Sequence, residues 1–217
     1  MNRIVYSFLF SLFVLGTGNL KSQNITGIVH SKSSTIQFDG VGTDKQRVNG
    51  EIRPNLTGSK YTLILTIGDQ KVTGEIKDKF SKFLIDVKVG NQMITGEVDR
   101  APNHTSDTWY VAFMGKKITG EVIHNMMNSK NTYKLQYGDQ PITGTIGDRL
   151  NTLEYKMNFL GNPITGPMTY NVTTVKHTYN LNTSALSKEG FVLWWFIESI
   201  KLIHEYVDEV DEFQNNN

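Results

Sequence analysis

The chain has 217 residues, a formal net charge of +1 and no cysteine. Acidic and basic residues are interspersed, which gives no electrostatic footprint for nucleic acid or for a strongly charged partner. Without cysteine there is no disulfide framework, thiolate metal site or lipid-modified cysteine, so burial alone must hold the fold.

The first residues read as an address. Arg3 precedes an almost unbroken apolar run from Ile4 to Leu15, and small residues follow at Gly16, Thr17, Gly18 and Ser22. That order predicts a secretory signal peptide over 1–22, with cleavage after Gly18 or Ser22. The run is shorter than the ~20 apolar residues of a spanning helix. The expectation is export, to a periplasmic, cell-surface or extracellular location.

From residue 23 onward an internal repeat dominates. An Ile/Val–Thr/Asn–Gly motif, usually continued by Glu and an apolar residue, places glycines at Gly27, Gly50, Gly74, Gly96, Gly120, Gly144 and Gly166, that is, 22–24 residues apart. A fixed period of this size marks a repeated supersecondary unit. Each motif is preceded by a strictly alternating segment. Tyr61, Leu63, Leu65 and Ile67 share one face, and Phe83, Ile85, Val87 and Val89 follow suit. Trp109, Val111 and Phe113 then do the same, as do Tyr133, Leu135 and Tyr137, and finally Leu153, Tyr155, Met157 and Phe159. A period of two is the signature of a strand with one buried and one wet face. Gly68-Asp69, Gly90-Asn91, Gly138-Asp139 and Gly161-Asn162 supply the turn chemistry between strands. The motif glycine shares parity with its apolar neighbours and points inward, where a glycine lets a sheet curve.

Counting these segments predicts an all-β domain over 23–183, an antiparallel up-and-down meander of about 12–14 strands. A sheet of that size either leaves edges or closes. Eight strands enclose only their own side chains and 16 or more leave a channel, so a barrel of intermediate size needs a filler. Residues 184–213 offer one. With Ser187 as N-cap, Phe191, Val192, Leu193, Trp194, Trp195, Phe196 and Ile197 are apolar on every side, and Ile200, Leu202, Ile203, Tyr206, Val207, Val210 and Phe213 continue the apolar surface. A helix apolar all round must be surrounded. The fold expected is therefore a barrel closed around, or capped by, one C-terminal α-helix, with a disordered tail at 214–217. The competing reading docks Trp194, Trp195 and Phe196 on a membrane surface; the acidic residues Asp208, Glu209, Asp211 and Glu212 oppose it.

Chemistry is sparse. His204 and Asp208 stand one helical turn apart, but the second histidine of the zinc-protease helix pattern is missing. His177 falls on the inward parity of the last strand near Val175 and Tyr179, as a core histidine; His30, His104 and His124 lie at strand ends or in loops. No nucleophile elbow or phosphate-binding loop occurs. No catalytic residue, cofactor or metal site is therefore assigned. The rows Glu51, Glu75, Glu97 and Glu121, flanked by Lys82, Lys88, Lys134 and Lys156, read as a solvated sheet face, and this polar outer face opposes an outer-membrane barrel. Tyr110, Ala112 and Met114 form an apolar exception and, with the Asp99–Asp107 loop, are the candidate surface contacts.

The hairpin Tyr133-x-x-x-Tyr137-Gly138 to Ile142-Thr143-Gly144 resembles the MORN repeat in length, but lacks that family's second-strand glycine pair and its glycine after the aromatic. A barrel around an apolar helix is similar in outline to the tubby domain, an analogy of architecture that transfers no site. The functional expectation is an exported, non-enzymatic scaffold or binding protein acting on a protein or glycan through its loops or outer sheet face. The alternative is a lipid or apolar-ligand binder that uses the Trp-rich helix at a membrane surface.

Overall fold

In a computed structural model, residues 23–32, 35–42, 46–125, 129–148, 152–171, 176–184 and 186–215 are described, with side chains at the helix end described through Glu205. The expected leader, Val175 and the acidic tail's side chains lie outside that set. Fourteen strands follow in chain order: β1 (Gln23–Lys32), β2 (Thr35–Val41), β3 (Arg47–Pro54), β4 (Lys60–Ile67), β5 (Gln70–Asp78), β6 (Lys82–Val89), β7 (Gln92–Arg100), β8 (Ser106–Phe113), β9 (Lys116–Asn125), β10 (Lys130–Tyr137), β11 (Gln140–Asp148), β12 (Thr152–Phe159), β13 (Asn162–Asn171) and β14 (Lys176–Thr183). One helix, α1 (Lys188–Asn215), ends the chain. Each strand pairs antiparallel with its sequence neighbours, and β1 closes on β14 with Ile25 opposite Leu181 and Val29 opposite His177. The expected meander is therefore a closed barrel, and closure removes every sheet edge.

The period-two pattern sorts as the sequence implies. Tyr61, Leu63, Leu65, Ile67, Phe83, Ile85, Val87 and Val89 are buried, and the motif residues Val72, Ile94, Ile118 and Ile142 join them from the alternate strands. On the outer face, opposite charges meet across strands: Lys60 with Glu75 at 2.9 Å, Lys82 with Glu97 at 2.8 Å and Lys134 with Glu121 at 3.0 Å. Such exposed pairs contribute about 0.2–1 kcal/mol each, so they decorate the sheet more than they hold it.

The helix is the barrel's core. Ser187 caps it, its hydroxyl accepting a hydrogen bond from the Gly190 N–H at 3.0 Å. Every residue from Gly190 to His204 is buried, whichever way it points. Trp195 packs edge-on against Phe38 of β2 and Tyr179 of β14, at 5.9 and 5.6 Å between ring centroids, while Phe196 meets Phe113 of β8 at 5.4 Å. Trp194, Trp195 and Phe196 thus reach opposite walls of the barrel, with 3%, 0% and 2% of their surface exposed. No helix is long and apolar enough to cross a membrane among the described residues.

The repeated glycine has a backbone reason. Gly74 sits at φ +149°, and a Cβ there would lie 2.3 Å from the Asp86 carbonyl oxygen and 2.6 Å from the Val87 Cα on the adjoining strand. Its equivalents Gly50, Gly96, Gly120 and Gly144 meet the neighbouring backbone in the same way. At these five positions only glycine allows the strand to lie this close to the adjoining backbone. Gly42 serves the helix instead: a Cβ there would fall 2.0 Å from the Phe191 ring.

Gly74→Ala is expected to cost at least ~2 kcal/mol, through strained φ plus collision with the next strand. Gly58→Ala, at φ +68° with nothing within 4 Å of the added methyl, should cost ~1 kcal/mol. Urea unfolding of the two variants measures the difference; equal losses would contradict the close-approach account.

Candidate functional site

The two ends of the barrel differ. At the end where α1 enters, hairpins turn through tight pairs such as Gly68-Asp69 and Gly90-Asn91, and the entry is clasped by Lys188 with Asp69 at 3.1 Å and Lys116 with Glu189 at 3.3 Å. The opposite end carries the longer connections, including Asn55–Ser59, Lys79–Ser81 and Ala101–Thr105, and there the buried part of the helix emerges at His204. Two loop tips at this end present fully exposed apolar side chains, Leu56 and Phe80. Phe80 sits in the left-handed region at φ 58°, and the buried Arg100 guanidinium, ion-paired with Asp78, donates to its carbonyl at 2.7 Å. A non-glycine residue held there costs of order 1–3 kcal/mol, so its loop is fixed by what surrounds it.

A cavity of about 380 Å³ opens at the same mouth, between the helix and β8–β10, lined among others by His104, Asp107, Trp109, His124, Lys201 and His204. Asp107 and His124 occupy inward positions near the ends of β8 and β9, which are paired strands, and His204 comes from α1. Asp107 Oδ2 stands 3.1 Å from His204 Nδ1 and 3.0 Å from His124 Nε2. The other nitrogen of His124, Nδ1, is 2.9 Å from Asn131 Oδ1 on β10. The His124 and His204 rings lie edge to face at 5.2 Å, and His104 is 6.4 Å from His204. Burial alone would raise the Asp107 pKa; the hydrogen bonds from His124 and His204 outweigh it and hold the carboxyl down at about 2. Asp107 Oδ1 and Trp109 Nε1, both buried on residues lining the cavity, have no hydrogen-bond partner among the described residues.

Deeper in the lumen lies a second polar group. Glu198 and Lys201 of α1 pair at 2.9 Å with side chains 3% and 7% exposed. Tyr155 donates to Glu198 at 3.0 Å and accepts from Lys201 at 2.8 Å, and Tyr179 donates to the same Glu198 oxygen at 3.2 Å. Burial pushes the Lys201 ammonium towards neutrality, but the adjacent Glu198 carboxylate prevails and keeps its pKa well above the ordinary lysine value. Burial, then the same carboxylate, raises both tyrosines, so they remain neutral donors. Two buried charges are tolerable because each has a partner and both tyrosine hydroxyls donate to the carboxylate.

Several sequence expectations change here. The Asp99–Asp107 segment is a loop only from Ala101 to Thr105; Asp99 and Arg100 end β7, while Ser106 and Asp107 begin β8. Of the apolar outer patch, Tyr110 and Ala112 are exposed on β8, but Met114 stands in the β8–β9 turn at φ 48°, half-buried and packed against the core. His177 does face inward, half-buried and stacked on Tyr170 at 4.6 Å between ring centroids. Burial and then Lys201 lower its pKa to about 4. His104 and His124, which the sequence leaves without a role, join His204 at the cavity. No protein-family model, curated protein or solved structure matches the chain.

Lys201→Met is expected to destabilise by ~3–5 kcal/mol because it strands the Glu198 carboxylate in the core. Glu198→Gln combined with Lys201→Met should recover most of that loss in chemical denaturation. A double variant as unstable as the single one would contradict the assignment of the pair.

Proposed function

We propose that the protein is an exported, non-enzymatic binding protein whose barrel is a rigid scaffold and whose recognition surface is the loop end. The observation that carries this reading is the filled lumen. With α1 packed against the surrounding walls, a cavity of about 380 Å³ is left beside the helix at the loop-end mouth. The exposed Leu56 and Phe80 stand at that same end, and the Phe80 loop is anchored from within by Arg100. Apolar side chains on loops over a rigid frame are the usual arrangement for recognition of a protein or glycan surface. The expectation of export rests on the Arg3 to Ser22 segment. The non-enzymatic reading rests on the main lumenal charges being absorbed by each other, Glu198 by Lys201 and two tyrosines.

Backbone NMR with a panel of small carboxylate, phenol and saccharide fragments tests the location. Shifts should gather on His104, Asp107, Trp109, His124 and Asn131, with the outer face of β4–β7 unmoved. Shifts confined to the outer face, or none anywhere, would contradict the loop-end reading. A second arm addresses lipid docking by the helix. In Trp109→Phe protein the emission of Trp194 and Trp195 should be blue and unaffected by liposomes carrying a lipid-phase quencher; quenching would replace this proposal with a membrane-docking one.

A further inference from the structure

We infer that Asp107, His124 and His204 form a binding site for a divalent transition-metal ion of the zinc–cobalt–nickel type, with a coordination position open to the loop-end cavity. The inference deepens the binding reading above by naming what the cavity holds, and it rests on that reading only for the accessibility of the mouth.

The three side chains offer two imidazole nitrogens and one carboxylate oxygen, all within 4.8 Å of one another. Bonds of ~2.0–2.2 Å to a central ion would draw these three atoms closer together. The ligands come from β8, β9 and α1, elements locked together by the sheet and by helix burial, so the site is built on rigid parts of the fold. The side chains of Asp107 and His204 are 5% and 10% exposed, and that of His124 is 18% exposed, a graded burial that leaves access from the cavity side.

The donor set selects the ion. Calcium and magnesium require shells made mainly of oxygen, which two imidazoles and one carboxylate do not provide. Two histidines and one carboxylate suit zinc and its neighbours in the first transition series, and three protein ligands are what open metal sites present. The surrounding contacts fit the same role. Nδ1 of His124 lies 2.9 Å from Asn131 Oδ1, which holds the ring with Nε2 on the Asp107 side, 3.0 Å from Oδ2. An oxygen fixing the far nitrogen in this way orients a metal-binding histidine. Asp107 supplies the carboxylate between the two imidazoles. Its Oδ1 and the Trp109 indole N–H, both without a partner among the described residues, flank the cavity where a further ligand of the ion would sit.

The test uses the purified protein with Zn²⁺ or Co²⁺ alone as the probe. Calorimetry should give saturable one-to-one Zn²⁺ binding, and Co²⁺ should develop the visible d–d bands of a four- or five-coordinate site while quenching Trp109. Asp107→Asn, His124→Ala and His204→Ala should each weaken binding ~100-fold or more, Asn131→Ala ~10-fold, and His177→Ala should leave it unchanged. His124→Cys guards against loss by misfolding: it should retain Co²⁺ and add a thiolate-to-cobalt charge-transfer band, which Tyr110→Cys should lack. Absence of stoichiometric binding, binding that survives all three ligand substitutions, or a His124→Cys spectrum without the new band would overturn the metal site. Fragment shifts at the cavity that persist without metal would then show that the loop-end pocket stands although the ion does not.

Discussion

The lumen of this barrel is one helix wide, and the rest of the structure follows from filling it. Closing 14 strands leaves a space that strand side chains alone do not occupy. A helix placed there meets sheet on every side, so it cannot be amphipathic in the ordinary sense. Phe191 to Ile197 satisfy that demand with seven apolar residues in succession. The walls adapt in turn. Gly42, with no side chain, makes room for the Phe191 ring, and the repeated motif glycine lets adjoining strands approach closely. Helix and barrel are therefore a single core, and each is the other's main buried surface.

Within that core the polar exceptions are graded along the helix. Glu189 lies at the entry beside Lys116, Glu198 and Lys201 neutralise each other in the middle, and His204 meets Asp107 and His124 at the exit. The middle pair receives two tyrosine hydroxyls on its carboxylate. The exit group adjoins a cavity and leaves a carboxylate oxygen without a hydrogen-bond partner among the described residues. The first arrangement is that of a structural ion pair; the second is that of a site with bonding capacity to spare. The end of the barrel where exposed Leu56 and Phe80 stand is also the end where that capacity lies.

The architecture was legible in the sequence because its causes are local and repeated. A period of two gives the strand faces, a glycine every 22–24 residues gives the hairpin unit, and seven consecutive apolar residues after Ser187 give the enclosed helix. The site was not legible, for a reason of topology. Asp107, His124 and His204 are 17 and 80 positions apart and share no short spacing, so only strand register and the depth of the helix bring them together. His204 drew notice through its nearness in sequence to Asp208, whereas its partner is Asp107 on the barrel wall. Inward parity near the ends of β8 and β9 was the one available signal: Asp107 shares a face with Trp109, and His124 with Val122. Met114 misled in the opposite way, because the alternation of β8 stops at Phe113 and the next residue belongs to a turn.

The claim that helix and barrel form one inseparable core is tested most directly by native-state hydrogen exchange, read amide by amide. The amides of residues 193–203 should open with the same free energy, and the same denaturant dependence, as those of β4, β6 and β11, since the helix can be exposed only when the barrel opens. Helix amides that exchange well before the strands, while the strands stay protected, would show a barrel that stands without its helix and would contradict the account.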